Sequence, residues 1–198
     1  MDDLKFAEEN LEPRDWSGKV LTGCWFTRCK FIGARMSELE TKDCEFEECD
    51  LTGVRMASSK HRSTGFLNCK FTDADLFGSR FEKCRLVGTT FEGANLAAIA
   101  IVGGDWSFVN LRHQDLEKLD LRGVRLKGAD FLGASMKGCD LREAILDNAS
   151  LAHTKLQKAD LRGASMQELD LRNSELKGAR MDMAQAIHFA QCFGIVVE

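Results

Sequence analysis

The sequence has one proline, no tyrosine and no long apolar run in its 198 residues. No stretch approaches the 18 consecutive apolar residues of a spanning helix, so no membrane segment is expected. The first residues, Met1-Asp2-Asp3-Leu4-Lys5, lack the basic start and apolar stretch of a secretion signal. A cytoplasmic, reducing setting is therefore expected, in which the eight cysteines stay thiols. Positive charge is not in excess: 27 Lys and Arg stand against 31 Asp and Glu, a net charge of -4. A general nucleic-acid binder is normally basic, so direct nucleic-acid binding is not expected. Catalytic signatures are also missing. There is no phosphate-cradling glycine loop, no GxGxxG after a strand and no nucleophile–base–acid set, so neither an enzyme nor a cofactor is expected. Charged residues at 29% and hydrophobic residues at 44% exclude wholesale disorder.

What the sequence does contain is a period of five. Steps of five from Phe6 to Met181 meet 36 residues, of which 34 are Leu, Phe, Met, Trp or Ile. The exceptions are Thr41 and His61. Two residues before each large residue lies a second lattice, and 27 of its 32 positions from Cys24 to Ala179 are small. Fourteen of the 17 glycines fall two residues after the large one. Period five fits neither a helix nor a simple strand. Two inward residues flanking one outward residue form a short extended segment, and the polar-Gly end makes a tight turn. This unit resembles the pentapeptide-repeat family, which implies an all-β, right-handed quadrilateral β-helix. Four pentapeptides make a coil of 20 residues, so about nine coils would form a rod of roughly 43 Å at the strand spacing.

Residues 1–181 read as the repeat. Its first coil, 1–20, is expected to be irregular, because Glu9, Arg14 and Lys19 occupy the small position. Residues 182–198 read as a cap: Asp182 starts a helix through 183–191, Gly194 stops it, and Ile195-Val196-Val197 forms a short strand. Met183, Ile187 and Ala190 share one helical face. Met183, Ile187, Phe193, Ile195 and Val197 are more apolar residues than a small cap needs, so they are a candidate homodimer interface.

Seven cysteines (24, 29, 44, 49, 69, 84 and 139) replace alanine on the small lattice and read as core rather than metal ligands. His113 and His153 share a column two coils apart, about 10 Å, too far for one zinc. Thr41 and His61 form an interior irregularity: a local hydrogen bond, a bulge or an outward flip. A binding role for Lys60-His61-Arg62 is the alternative.

Charge is patterned on the outward positions. Residues 38–50 hold seven acids, among them Glu45, Glu47, Glu48 and Asp50, and one base, Lys42. Asp120, Asp140 and Asp160 form one column, Asp130 and Asp170 lie on another face, and Arg122, Arg142 and Arg162 run beside the first column. This arrangement is either a self-paired solvated ladder or an acidic stripe imitating duplex DNA, which carries about one charge per 1.7 Å.

Local text narrows the likeness. Ser59-Lys60-His61-Arg62-Ser63-Thr64-Gly65-Phe66-Leu67-Asn68-Cys69-Lys70-Phe71 resembles the mycobacterial fluoroquinolone-resistance pentapeptide proteins of the MfpA type. So does the tail from Gly178 through Ala186, with Phe189-Ala190 and Gly194. The resemblance implies a dimeric, DNA-shaped protein that binds DNA gyrase and lowers the effect of quinolones. The related Qnr proteins carry loops that break the repeat, and this chain has none. The expected gyrase-binding face is Asp115, Asp120, Asp130, Asp140, Glu143 and Asp160, with Glu45, Glu47, Glu48 and Asp50 as a distal cluster. The alternative is a structural scaffold for an unrelated protein partner.

Overall fold

A computed structural model describes residues 1–12 and 14–197. The period of five becomes a four-sided β-solenoid. Its large lattice points inward and packs as one continuous core from Leu11 to Leu171. Two parallel sheets line adjacent sides. One joins β1 (Lys5–Ala7), β3 (Trp25–Thr27), β5 (Glu45–Glu47) and β7 (Gly65–Leu67). The other joins β2 (Val20–Thr22), β4 (Glu40–Lys42), β6 (Lys60–Arg62), β8 (Arg80–Glu82) and β9 (Ala100–Val102). The register is 20 residues throughout, as in Phe6↔Phe26 and Thr41↔His61. Three-residue strands occupy about five coils, to Val102. Single bridges carry the register on to Asp160↔Arg180. The change follows the core: phenylalanines 6, 26, 46 and 66 stack with ring centroids 5.4, 4.6 and 4.8 Å apart. Leucine dominates the later coils.

Among the described residues of the repeat, every corner but the one at Asn173 turns through a residue with positive φ, two places after the large residue. Glycine takes that conformation without strain, yet Lys83, Lys118 and Lys158 also adopt it, at φ of 53, 62 and 62°. The coil's inter-coil hydrogen bonds compensate the local cost.

The first coil keeps the register, with bridges Asp2↔Thr22, Asn10↔Lys30 and Asp15↔Arg35. The irregularity expected there is confined to side chains. Glu9, Arg14 and Lys19 are exposed, and the Arg14 guanidinium lies 4.9 Å above the Phe6 ring, covering the open end.

At the other end α1 (Met183–Cys192) starts at Asp182 in a capping box with Gln185. The side that meets the last coil differs from the apolar face of the sequence pattern. Gln185 is buried and donates to the carbonyls of Leu161 (2.6 Å) and Ala164 (3.0 Å), and His188 Nε2 lies 2.8 Å from that of Leu169. An open coil end leaves carbonyls that need donors, which these side chains supply, while Phe189 packs against the core beside them. Met183 faces solvent. The strand expected at Ile195–Val197 does not form; those residues follow the helix as irregular chain. Ile195 instead donates its amide back to the Ala190 carbonyl at the helix end (3.1 Å).

Candidate protein-binding faces

The Asp column does form, through bridges Asp120↔Asp140 and Asp140↔Asp160. Each carboxylate is clamped by the arginine two residues later, with contacts of 2.6 Å in Asp120–Arg122, Asp140–Arg142 and Asp160–Arg162. Oδ1 of each also accepts the backbone N–H of that arginine, so the Asp braces its own turn. These hydrogen bonds lower the carboxyl pKa values, that of Asp160 to about 2. The column is charged across the working pH range, but every charge on it has a partner. Asp130 likewise binds Arg112 at 2.8 Å.

Other acids are free of ion pairs among the described residues. Asp115 and Glu143 are exposed and unpaired; Glu143 lies across Gly163, which leaves it room. In the distal cluster Glu47, Glu48 and Asp50 are unpaired, and Glu47 and Glu48 are exposed. Glu45 is the exception. It crosses Gly65 to reach Arg85, two coils away, at 2.8 Å, and burial raises its pKa. The surplus negative charge therefore sits at residues 38–50, more than on the Asp column.

The interior irregularity is a hydrogen-bonded chain. His61 Nδ1 lies 2.8 Å from Thr41 Oγ1, and Nε2 lies 2.8 Å from Ser59 Oγ. Ser59 donates to Ser79 (3.0 Å), which donates to the Met56 carbonyl (2.7 Å). Thr41 Oγ1 also lies 2.9 Å from Thr64 Oγ1, so both ring nitrogens are tied into hydroxyl chains. The ring packs against Phe66 and Phe81 and does not reach the surface, which leaves Lys60 and Arg62 alone facing solvent. Burial drops the His61 pKa from 6.5 to about 3. The unfolded chain binds this proton below pH 6.5 and the folded one does not. Stability therefore falls as pH drops from 6.5 toward 3. Between pH 7.5 and 4.5 the loss should be about 2–3 kcal/mol. Urea titrations at both values check this; in Thr41→Val/His61→Phe the loss should largely vanish.

The lattice cysteines are all buried and unbridged. Burial pushes the Cys44 and Cys84 thiols up to about 11 and that of Cys139 to about 12, the signature of inert packing groups. No group of three metal-ligating side chains converges among the described residues.

A model of pentapeptide repeats matches in eight copies over residues 107–142 and 144–182, on the register just described. Residues 107–182 therefore carry pentapeptide repeats, within a solenoid of the pentapeptide-repeat fold. A second model, the SV2A/B/C luminal domain, matches residues 16–91 of the same solenoid. A sequence search among curated proteins finds no match. Among solved structures, full-length QnrB1, a plasmid-mediated fluoroquinolone resistance protein, superposes with TM-score 0.89 at 24% identity, covering 98% of this chain and 99% of QnrB1. A trypsin-treated QnrB1 variant gives 0.87 at 25%, covering 100% and 99%. HetL, a pentapeptide repeat protein involved in heterocyst differentiation regulation in a Nostoc cyanobacterium, shares the fold at TM-score 0.52 and 20% identity, covering 91% and 86%. No helix among the described residues is long and apolar enough to cross a membrane.

The small lattice is interrupted most heavily near the middle of the chain. Of its five large residues at small positions, Ile99, Gln114 and Leu119 fall together, and Ile99 stands directly before Leu119 in one column. The coils separate there.

Proposed function

We propose that this protein binds DNA gyrase as a duplex-shaped acidic rod. It would occupy the positively charged surface that takes DNA, modulate the enzyme and lower the effect of fluoroquinolones. The observation that carries this reading is the likeness to QnrB1 along the whole chain. The unpaired acids support it: they provide a one-signed field that steers association with a basic cleft. No catalysis is involved, and the setting is cytoplasmic. The test is supercoiling and quinolone-stabilised cleavage by gyrase from the same source. A dose-dependent change in either is expected; no change at tens of micromolar, with the rod folded, would reject the reading.

The Asp column gives a sharper expectation. If Asp120, Asp140 and Asp160 carry gyrase binding, with Asp115, Asp130 and Glu143 beside them, the three arginines mask them. Arg122→Gln/Arg142→Gln/Arg162→Gln should then tighten gyrase binding about tenfold, measured at constant salt. Unchanged affinity would move the face to the distal cluster.

The active form is proposed to be a two-fold dimer through the C-terminal segment, in which Met183, Phe193, Ile195 and Val197 are solvent-exposed and Ile187 is half-buried. Sedimentation at micromolar concentration should give twice the chain mass of 22.1 kDa. Ile195→Glu/Val197→Glu should give the monomer.

A further inference from the structure

The solenoid is split along two of its four sides, between residues 93–103 and 113–122. In intact coils an amide donates to the carbonyl 19 residues on, as Leu86 to Asp105 (2.8 Å) and Gly88 to Ser107 (3.1 Å). The corresponding bonds from Leu96, Ala98, Ile101 and Gly103 are absent among the described residues. So are the return bonds from Asp115 to Ala94 and from Asp120 to Ile99, and the bridges Asn95↔Asp115 and Ala100↔Asp120. The ladder is whole on either side. Phe91 donates to Asn110 (3.0 Å), and Arg125 to Gly104 (3.2 Å). The result is a wedge-shaped cleft of about 380 Å³, lined by Leu96, Ile99, Leu116 and Leu119, with Asp115 and Glu117 at its mouth.

Its cause is in the sequence. Ile99 and Leu119 meet in a column built elsewhere after Leu39 from serine, cysteine and alanine, and Gln114 is large in the neighbouring column. Leu39 alone, stacked on Ser59, leaves its ladder intact. Two facing large residues do not.

An open strand edge is usually blocked by charge or proline. Here residues 93–104 carry neither. Two facing backbone edges offer donors and acceptors in alternation, the pattern an added extended main chain pairs with. The floor is apolar. The charged groups at the lower lip are Asp115, which has no ion pair, Glu117, which binds Lys137 at 3.1 Å, Lys118, and the neutralised Asp120–Arg122 pair. We propose that this cleft takes an extended peptide strand of a partner protein, with apolar residues alternating with basic ones. The strand pairs with both lips, places its apolar side chains on the leucine floor and sets a basic residue against Asp115. The inference does not rest on gyrase binding, although Asp115 and Asp120 also belong to the acidic face proposed for gyrase.

Hydrogen–deuterium exchange on the full chain tests it. In the free protein, the amides of Leu96, Ala98, Ile101, Gly103, Asp115 and Asp120 should exchange at least tenfold faster than the ladder amides of Leu86 and Gly88. A blocked hexapeptide alternating valine and lysine should slow those six at least tenfold; the valine–glutamate hexapeptide should not. Asp115→Lys should abolish the preference between the two. Ile99→Ala/Leu119→Ala removes the wedge, so it should protect the six amides without peptide and abolish binding. Slow exchange in the free chain, no protection at millimolar peptide, equal protection by both peptides, or protection traced to the tail of a second copy would each overturn the proposal.

Discussion

Replacing Asp43, Glu47 and Glu48 by lysine should weaken gyrase binding by about 30- to 100-fold, or about 2–3 kcal/mol. None of the three has an ion pair among the described residues, so their charge is fully available to a partner. The solenoid should tolerate the change. Asp43 and Glu48 sit at the positive-φ corner, at 51 and 53°, where Lys83, Lys118 and Lys158 already stand. Each substitution removes one negative charge and adds one positive, so electrostatic steering reverses locally. The measurement is a binding isotherm at two salt concentrations. The wild-type affinity should fall with salt and that of the triple variant should barely respond. Equal affinities would remove residues 38–50 from the interface. Reversal of the Asp column is a poorer probe. Asp120, Asp140 and Asp160 hold their own turns, so their loss confounds folding with binding.

Gly104→Ala should cost about 3 kcal/mol or more and lower Tm by roughly 6–12 °C. Its φ is +98°, outside the corner conformation that other residues adopt, and a Cβ there would stand 2.2 Å from the Cys84 carbonyl oxygen and 3.0 Å from its nitrogen. Those are backbone atoms and cannot rotate away. Gly104 is where the split ladder closes again, through its carbonyl to Arg125. The adjacent Gly103 is the control. Its φ is +64° with nothing near a Cβ, and Ala98 occupies the equivalent position at 57°. Gly103→Ala should therefore cost only about 1–2 kcal/mol. Thermal unfolding of both variants separates the two cases. Equal losses would show that conformation alone, not the contact with the preceding coil, makes Gly104 necessary.

The solenoid was legible because its rule repeats without slippage. Large residues every five, small ones two earlier and corner glycines define the inside, the outside and the 20-residue register. The helix start was equally legible, since Asp182 and Gln185 have the spacing of a capping box. Partners across space were less so. The sequence left the Asp column open between a self-paired ladder and a free acidic stripe, and Arg142 folds back onto Asp140 as in the first. His61 reads as an anomaly until Thr41, Ser59 and Ser79 are stacked around it. The polar contacts of the helix were not legible, because a lone Gln185 or His188 in the sequence does not show that a coil-end carbonyl lies beside it. Gln185 and His188 reach the carbonyls of Leu161, Ala164 and Leu169. The cleft had a sequence signal in Ile99, Gln114 and Leu119. It is invisible in counts of lattice matches, because it depends on two large residues falling in one column.

The central claim is that the rod stands in for DNA, and competition measures it most directly. Labelled protein would be bound to gyrase and challenged with linear duplex DNA that the enzyme binds but cannot supercoil. The account predicts mutual exclusion: DNA displaces the protein completely, the protein displaces DNA, and the two apparent affinities are linked by simple competition. A ternary complex, with the protein held at saturating DNA, would contradict it.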